Sequence, residues 1–125
     1  MLNRITIIGR LTKDPELRYT QNNKAVASFT IAVERDFADA DGDRKADFIN
    51  CVAWSGTAEF VSKYFHKGSM AVVSGRLQTR TYQAKDGGNR VAVEVVADAV
   101  YFGEPKKTGD RGVFVEVKDD EPLPF

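Results

Sequence analysis

Apolar and polar positions alternate every second residue along most of this chain, the period of a half-buried β-strand. Val26–Arg35 is one such stretch, with Phe29, Ile31 and Val33 on one face and Ser28, Thr30 and Glu34 on the other. Phe48–Trp54 sets Ile49, Cys51 and Ala53 against Phe48, Asn50, Val52 and Trp54. Met70–Tyr82 is the longest strand candidate. Val73, Gly75 and Leu77 face one way there, and Arg76, Gln78, Arg80 and Tyr82 the other. In Val91–Phe102, Val91, Val93 and Val95 are expected on the inner face. Arg4–Leu11 is β-rich, and Leu17–Thr20 follows the Asp14-Pro15 turn as a short strand.

One segment breaks the period. Ala58, Val61 and Phe65 recur at helical spacing, and Phe60 and Tyr64 widen the stripe. A helix is predicted over about residues 56–66, with Ser55 as its N-cap and Lys67-Gly68 as its stop. Between the strands, Gln21-Asn22-Asn23 suits a tight hairpin, residues 38–46 form a polar loop centred on Gly42, and residues 84–89 form a second hairpin loop. The order of main strands is three, then the helix, then two. That is the order of an all-β OB-fold, a five-stranded Greek-key barrel with one helix between its third and fourth strands.

Residues 1–103 therefore read as one domain, 104–118 as a short linker and 119–125 as a separate tip. Within the linker, Val113, Val115 and Val117 alternate with Phe114 and Glu116, a pattern able to pair with a sheet edge. The tip, DDEPLPF, joins Asp119, Asp120 and Glu121 to Pro122, Leu123, Pro124 and Phe125. Two prolines limit the conformations lost on binding. Leu123 and Phe125 suit a pocket, and the acids suit basic residues around it. A partner-docking peptide is expected.

Composition narrows the function. The chain has 125 residues, 42% hydrophobic and 29% charged, as for one soluble domain. No apolar run is long enough to span a membrane. The N-terminal stretch lacks the features of a signal peptide, so a cytoplasmic protein without membrane partners is expected. One cysteine, Cys51, and one histidine, His66, exclude an intramolecular disulfide and argue against many catalytic constellations. There is no phosphate-binding glycine loop. Asp39, Asp41 and Asp43 resemble the start of a calcium loop, but Arg44 stands where glycine is needed and Asn50 where the bidentate acid belongs. Neither an enzyme, a metal nor a cofactor is expected. Net charge is zero, divided as +2 over residues 1–103 and −2 over 104–125.

The aromatics carry the positive signal. Phe48 and Trp54 share a strand face, Tyr82 ends a face bearing Arg76 and Arg80, and Phe37 follows Arg35 where a strand enters a loop. Rings interleaved with cations fit single-stranded nucleic acid, each stacked base being worth about 1–3 kcal/mol. They equally fit a protein interface or a core.

At this point the chain resembles the bacterial-type single-stranded DNA-binding proteins. The resemblance rests on LNRITIIGRLTKDPELRYT, AVASFTIAVERDF, ADFINCVAW, YFHKGSMAVVSGRLQTRTY and VEVVADAVYF, and resumes at DDEPLPF. It implies an OB-fold homotetramer that wraps single-stranded DNA in replication, recombination and repair. It places Phe37, Phe48, Trp54 and Tyr82 at base-stacking positions. Lys67 and Arg80 fall at phosphate-contacting ones, to which Arg10, Arg35 and Arg76 are added as candidates. The tip then recruits partner proteins. Asn50 and Gln78 stand where relatives are often basic, which predicts a shallower salt dependence. The linker is shorter than is usual for the family and suits a phage, plasmid or secondary copy. Its residues would span roughly 20 Å as a flexible chain.

Overall fold

The computed structural model describes residues 1–104, which form six strands and one helix. The expected strand at Val113–Val117, the rest of the linker and the Asp119–Phe125 tip lie outside the described residues. In chain order the elements are β1 (Ile5–Leu11), β2 (Glu16–Tyr19), β3 (Ala25–Ala38), β4 (Arg44–Trp54), α1 (Ser55–Tyr64), β5 (Met70–Gln83) and β6 (Asn89–Phe102).

The sheet runs β1-β5-β6-β4-β3-β2 and closes through a second pairing of β1 with β3. Five strands make the barrel, and short β2 lies outside it on β3. Counted over the barrel strands, the helix falls between the third and fourth, as the sequence order predicts. β4 and β6 are parallel through Cys51–Val95, Val52–Val96 and Ala53–Ala97. The antiparallel closure of β1 on β3 is only two pairs long, Arg10–Ala32 and Leu11–Ile31. This is an OB-fold barrel.

The predicted inner positions fill it. Phe29, Ile31, Cys51, Ala53, Val73 and Val95 are buried, joined by Ala58, Val61 and Phe65 from the helix and the residue just beyond it. The Phe65 ring stacks on Phe102 with centroids 4.8 Å apart. Two glycines permit the tight corners. A Cβ on Gly9 would strike the Ala32 carbonyl oxygen and sit 2.6 Å from Cγ2 of Ile31. A Cβ on Gly75 would strike the Val96 carbonyl oxygen, beside the β5 register shift at Ser74/Gly75.

Three local expectations are corrected. Ser55 is not the N-cap: it is the first helical residue, at φ 54°, and Trp54 holds the cap position in an extended conformation without a side-chain cap bond. The helix ends at Tyr64 rather than 66, because Phe65 turns extended and seats its ring in the core. Val91 and Val93 are not covered, being 64% and 51% exposed. β5 and β6 are 14 residues each, about 45 Å of strand, and overshoot the barrel. Alternation decides which side a residue takes, and only the barrel supplies something to cover it.

Among the described residues, no helix is long and apolar enough to cross a membrane.

Candidate nucleic-acid interface

Strand register decides which outward side chains stand together, because directly paired residues share a face. One row crosses the barrel from Met70 through Arg10 and Ala32 to Phe48. Another joins Arg18, Val26 and Trp54. Between them Thr30 pairs with Asn50, and the Thr30 hydroxyl donates to Oδ1 of Asn50 at 3.0 Å. A longer row runs Arg76–Val96–Val52–Ser28–Glu16, so the outer faces of β5, β6, β4, β3 and β2 are continuous.

Two rings punctuate this face. Phe48 is 68% exposed and Trp54 44%, each an apolar surface in open contact with water. Six residues apart on one strand, they stand about 20 Å from one another. Arg10 lies in the row of Phe48, across the small Ala32, and its guanidinium donates to the Gly68 carbonyl at 2.9 Å and to Glu104 at 2.8 Å. Lys67 sits in the adjoining loop, held by its backbone N–H donating to Asp14 at 2.8 Å.

Tyr82 and Arg80 stand further out, on the projecting β5–β6 hairpin. The Arg80 guanidinium lies 5.7 Å from the Tyr82 ring centroid, and its Nε donates to Glu94 at 3.0 Å. Arg76 shares that side and donates to Gln78 at 3.4 Å.

Phe37 and Arg35 occupy the β3–β4 hairpin near its tip, where the register shifts between Glu34 and Ala38. Phe37 is almost fully exposed. Strand alternation sets Arg35 with Val33 and Asp47, on the side opposite Phe48. Arg35 makes a two-point bond to Asp47, at 3.1 and 2.8 Å. That bond holds the Asp47 carboxyl below its ordinary range and raises Arg35 further. The structure thus gathers Phe48, Trp54 and Arg10 on the barrel and spreads Phe37, Arg35, Tyr82 and Arg80 over two projecting hairpins.

Two contributors went unread in the sequence. Arg18 shares the Trp54 row and donates to Ser28 at 3.3 Å, visible only once the β2–β3 register is fixed. Arg44 donates to the carbonyls of Arg35 and Asp36 at 3.0 and 2.7 Å and so pins the bulge that carries Phe37. The acidic loop closes on itself. Asp39 accepts the N–H groups of Asp41 and Asp43 and pairs with Lys45.

A family model, the single-strand binding protein family, matches residues 2–103 of this chain. The chain belongs to the single-strand binding protein family. Members of this family are binding proteins rather than enzymes. The chain is 55% identical over 116 residues to a single-stranded DNA-binding protein of Bacillus cereus, covering 91% of this chain and 68% of that relative. It is 55% identical over 112 residues to single-stranded DNA-binding protein A of Bacillus subtilis, covering 90% and 65%. A similar match, 56% over 111 residues, joins it to single-stranded DNA-binding protein 1 of Staphylococcus aureus, covering 89% and 71%. The chain thus spans about two thirds of the length of these family members.

Proposed function

We propose that this protein binds and protects single-stranded DNA without sequence preference, in replication, recombination and repair. The observation that carries the reading is the pair of exposed rings, Phe48 and Trp54, on one sheet face with Arg10 and Arg18 in their register rows. Rings accept any base because every base has a π-face, and cations follow the phosphates. Duplex DNA keeps its bases stacked inside and offers such rings nothing.

The working unit in this reading is a homotetramer. β1 meets β3 only at Arg10 and Leu11, so Ile5–Ile8 keep a strand edge without a partner among the described residues. Ile8 and Tyr101, 50% and 59% exposed, flank Val72 on the adjoining outer face. An open edge beside apolar side chains favours pairing with another copy. Asp119–Phe125 then serves as the docking peptide for replication, recombination and repair proteins, and the protein works in the cytoplasm, on the nucleoid.

Titration with oligo-dT, followed by fluorescence of the sole tryptophan, Trp54, tests the DNA reading. Quenching at low salt, with much weaker binding of duplex, is expected. Absence of quenching, or equal affinity for duplex, refutes it. Removing Phe125 should abolish partner capture and leave DNA affinity intact.

A further inference from the structure

Three of the candidate phosphate-binding arginines are paired with acids: Arg10 with Glu104, Arg35 with Asp47 and Arg80 with Glu94. The acids differ in access to water. The Asp47 side chain is 51% exposed, Glu104 29% and Glu94 only 12%. An exposed carboxylate released by its arginine is rehydrated at once, so such a pair exchanges readily for phosphate. A nearly covered carboxylate has no such refuge, and losing its cation leaves it poorly solvated. Glu94 therefore keeps Arg80.

The contact geometry suits that role. Arg80 pairs directly with Ala92 across β5 and β6, and Glu94 is its diagonal neighbour on the same face. Glu94 engages Arg80 through Nε at 3.0 Å. The two terminal guanidinium nitrogens have no hydrogen-bond partner among the described residues. The same guanidinium lies 5.7 Å from the Tyr82 ring centroid. Arg35 is different: Asp47 takes both its Nε and a terminal nitrogen, as two phosphate oxygens would.

Resting on the DNA-binding reading above, we propose that Glu94 is a positioning residue. It fixes Arg80 by Nε, so that the terminal nitrogens meet a phosphate beside a base stacked on Tyr82. Arg80 then takes the phosphate without leaving Glu94. A guanidinium already ordered surrenders little further rotamer freedom on binding.

The test uses the full chain and fluorescein-labelled oligo-dT in anisotropy titrations at one salt concentration. Glu94→Ala is expected to weaken binding roughly threefold to tenfold, part of the freedom an arginine side chain gives up on ordering. Glu94→Gln keeps an oxygen able to accept from Nε and should stay within about twofold of wild type. In an Arg80→Ala background, Glu94→Ala should weaken binding no further, whereas a purely structural role would weaken binding in both backgrounds. Arg80→Lys keeps the charge but has no Nε donor. It should lose affinity about as much as Glu94→Ala, and it serves if that variant does not fold.

Glu94→Ala binding as tightly as wild type, or weakening that persists without Arg80, overturns the proposal. So does an Arg80→Lys variant with wild-type affinity. These outcomes leave the DNA reading standing if wild type binds. Wild type failing to bind oligo-dT removes both.

Discussion

Replacing Trp54 with alanine probes the stacking face most directly. An indole presents up to about 250 Å², and Trp54 is 44% exposed. About 110 Å² is therefore left for a base to cover. At about 25 cal/mol per Å², complete cover is worth nearly 3 kcal/mol, and partial cover falls within the roughly 1–3 kcal/mol measured per stacked base. Trp54→Ala should then raise Kd for oligo-dT about 5-fold to 150-fold. Trp54→Phe, which keeps a ring, should recover most of the loss. The change removes the only tryptophan, so the assay is anisotropy of a labelled oligonucleotide, with thermal unfolding to verify that the barrel is intact. The salt dependence should hardly move, because no cation has been removed. A folded Trp54→Ala variant within twofold of wild type refutes the stacking role.

Arg44→Ala frees the bulge carrying Phe37 and should weaken DNA binding roughly twofold to tenfold, the cost of ordering that segment on binding; unchanged anisotropy titrations would show that the bulge needs no pin. Gly75→Ala forces a Cβ against the Val96 carbonyl and should destabilise the fold by about 1–3 kcal/mol, read as a lower urea midpoint. Burial, with a smaller contribution from Glu94, pushes the Cys51 thiol up to about 12 from an ordinary 9.0. Between those values the folded state holds a proton that the unfolded state has lost. The stability Cys51 contributes is complete below about pH 9 and declines as pH rises, by at most about 1.4 kcal/mol per pH unit. Urea unfolding between pH 8 and 10.5 should show a steeper decline for wild type than for Cys51→Ala, and equal slopes would count against it.

Period-two alternation was sufficient to find the barrel, since Phe29, Ile31, Cys51, Ala53, Val73 and Val95 all reach the core it predicts. It misplaced Val91 and Val93 because a strand keeps alternating after the core beneath it has ended. The helix stop was misread for a related reason. Phe65 keeps helical spacing in sequence, yet its ring is buried from an extended backbone. For the site, exposed Phe48 and Trp54 were legible as rings on the polar face of a strand. The ion pairs were not. Arg35–Asp47 and Arg80–Glu94 span 12 and 14 residues, and only the register of two hairpins brings them together. Lys67 likewise owes its place to a bond from its backbone to Asp14, 53 residues away.

The short parallel joint, Cys51–Ala53 against Val95–Ala97, also bears on when this protein becomes competent. β3–β4 and β5–β6 are local hairpins, and each can form early because little chain must be gathered. Phe48 and Trp54 belong to the first hairpin, Arg80 and Tyr82 to the second. The joint bridges some 44 residues of intervening chain and forms against a greater entropic cost. Until this joint and the pairings of β1 with β3 and β5 form, the two halves of the candidate surface exist without a fixed relation to each other. A nascent chain would thus hold its rings and cations before it holds a surface, and a ligand that spans both hairpins selects molecules in which this joint has formed.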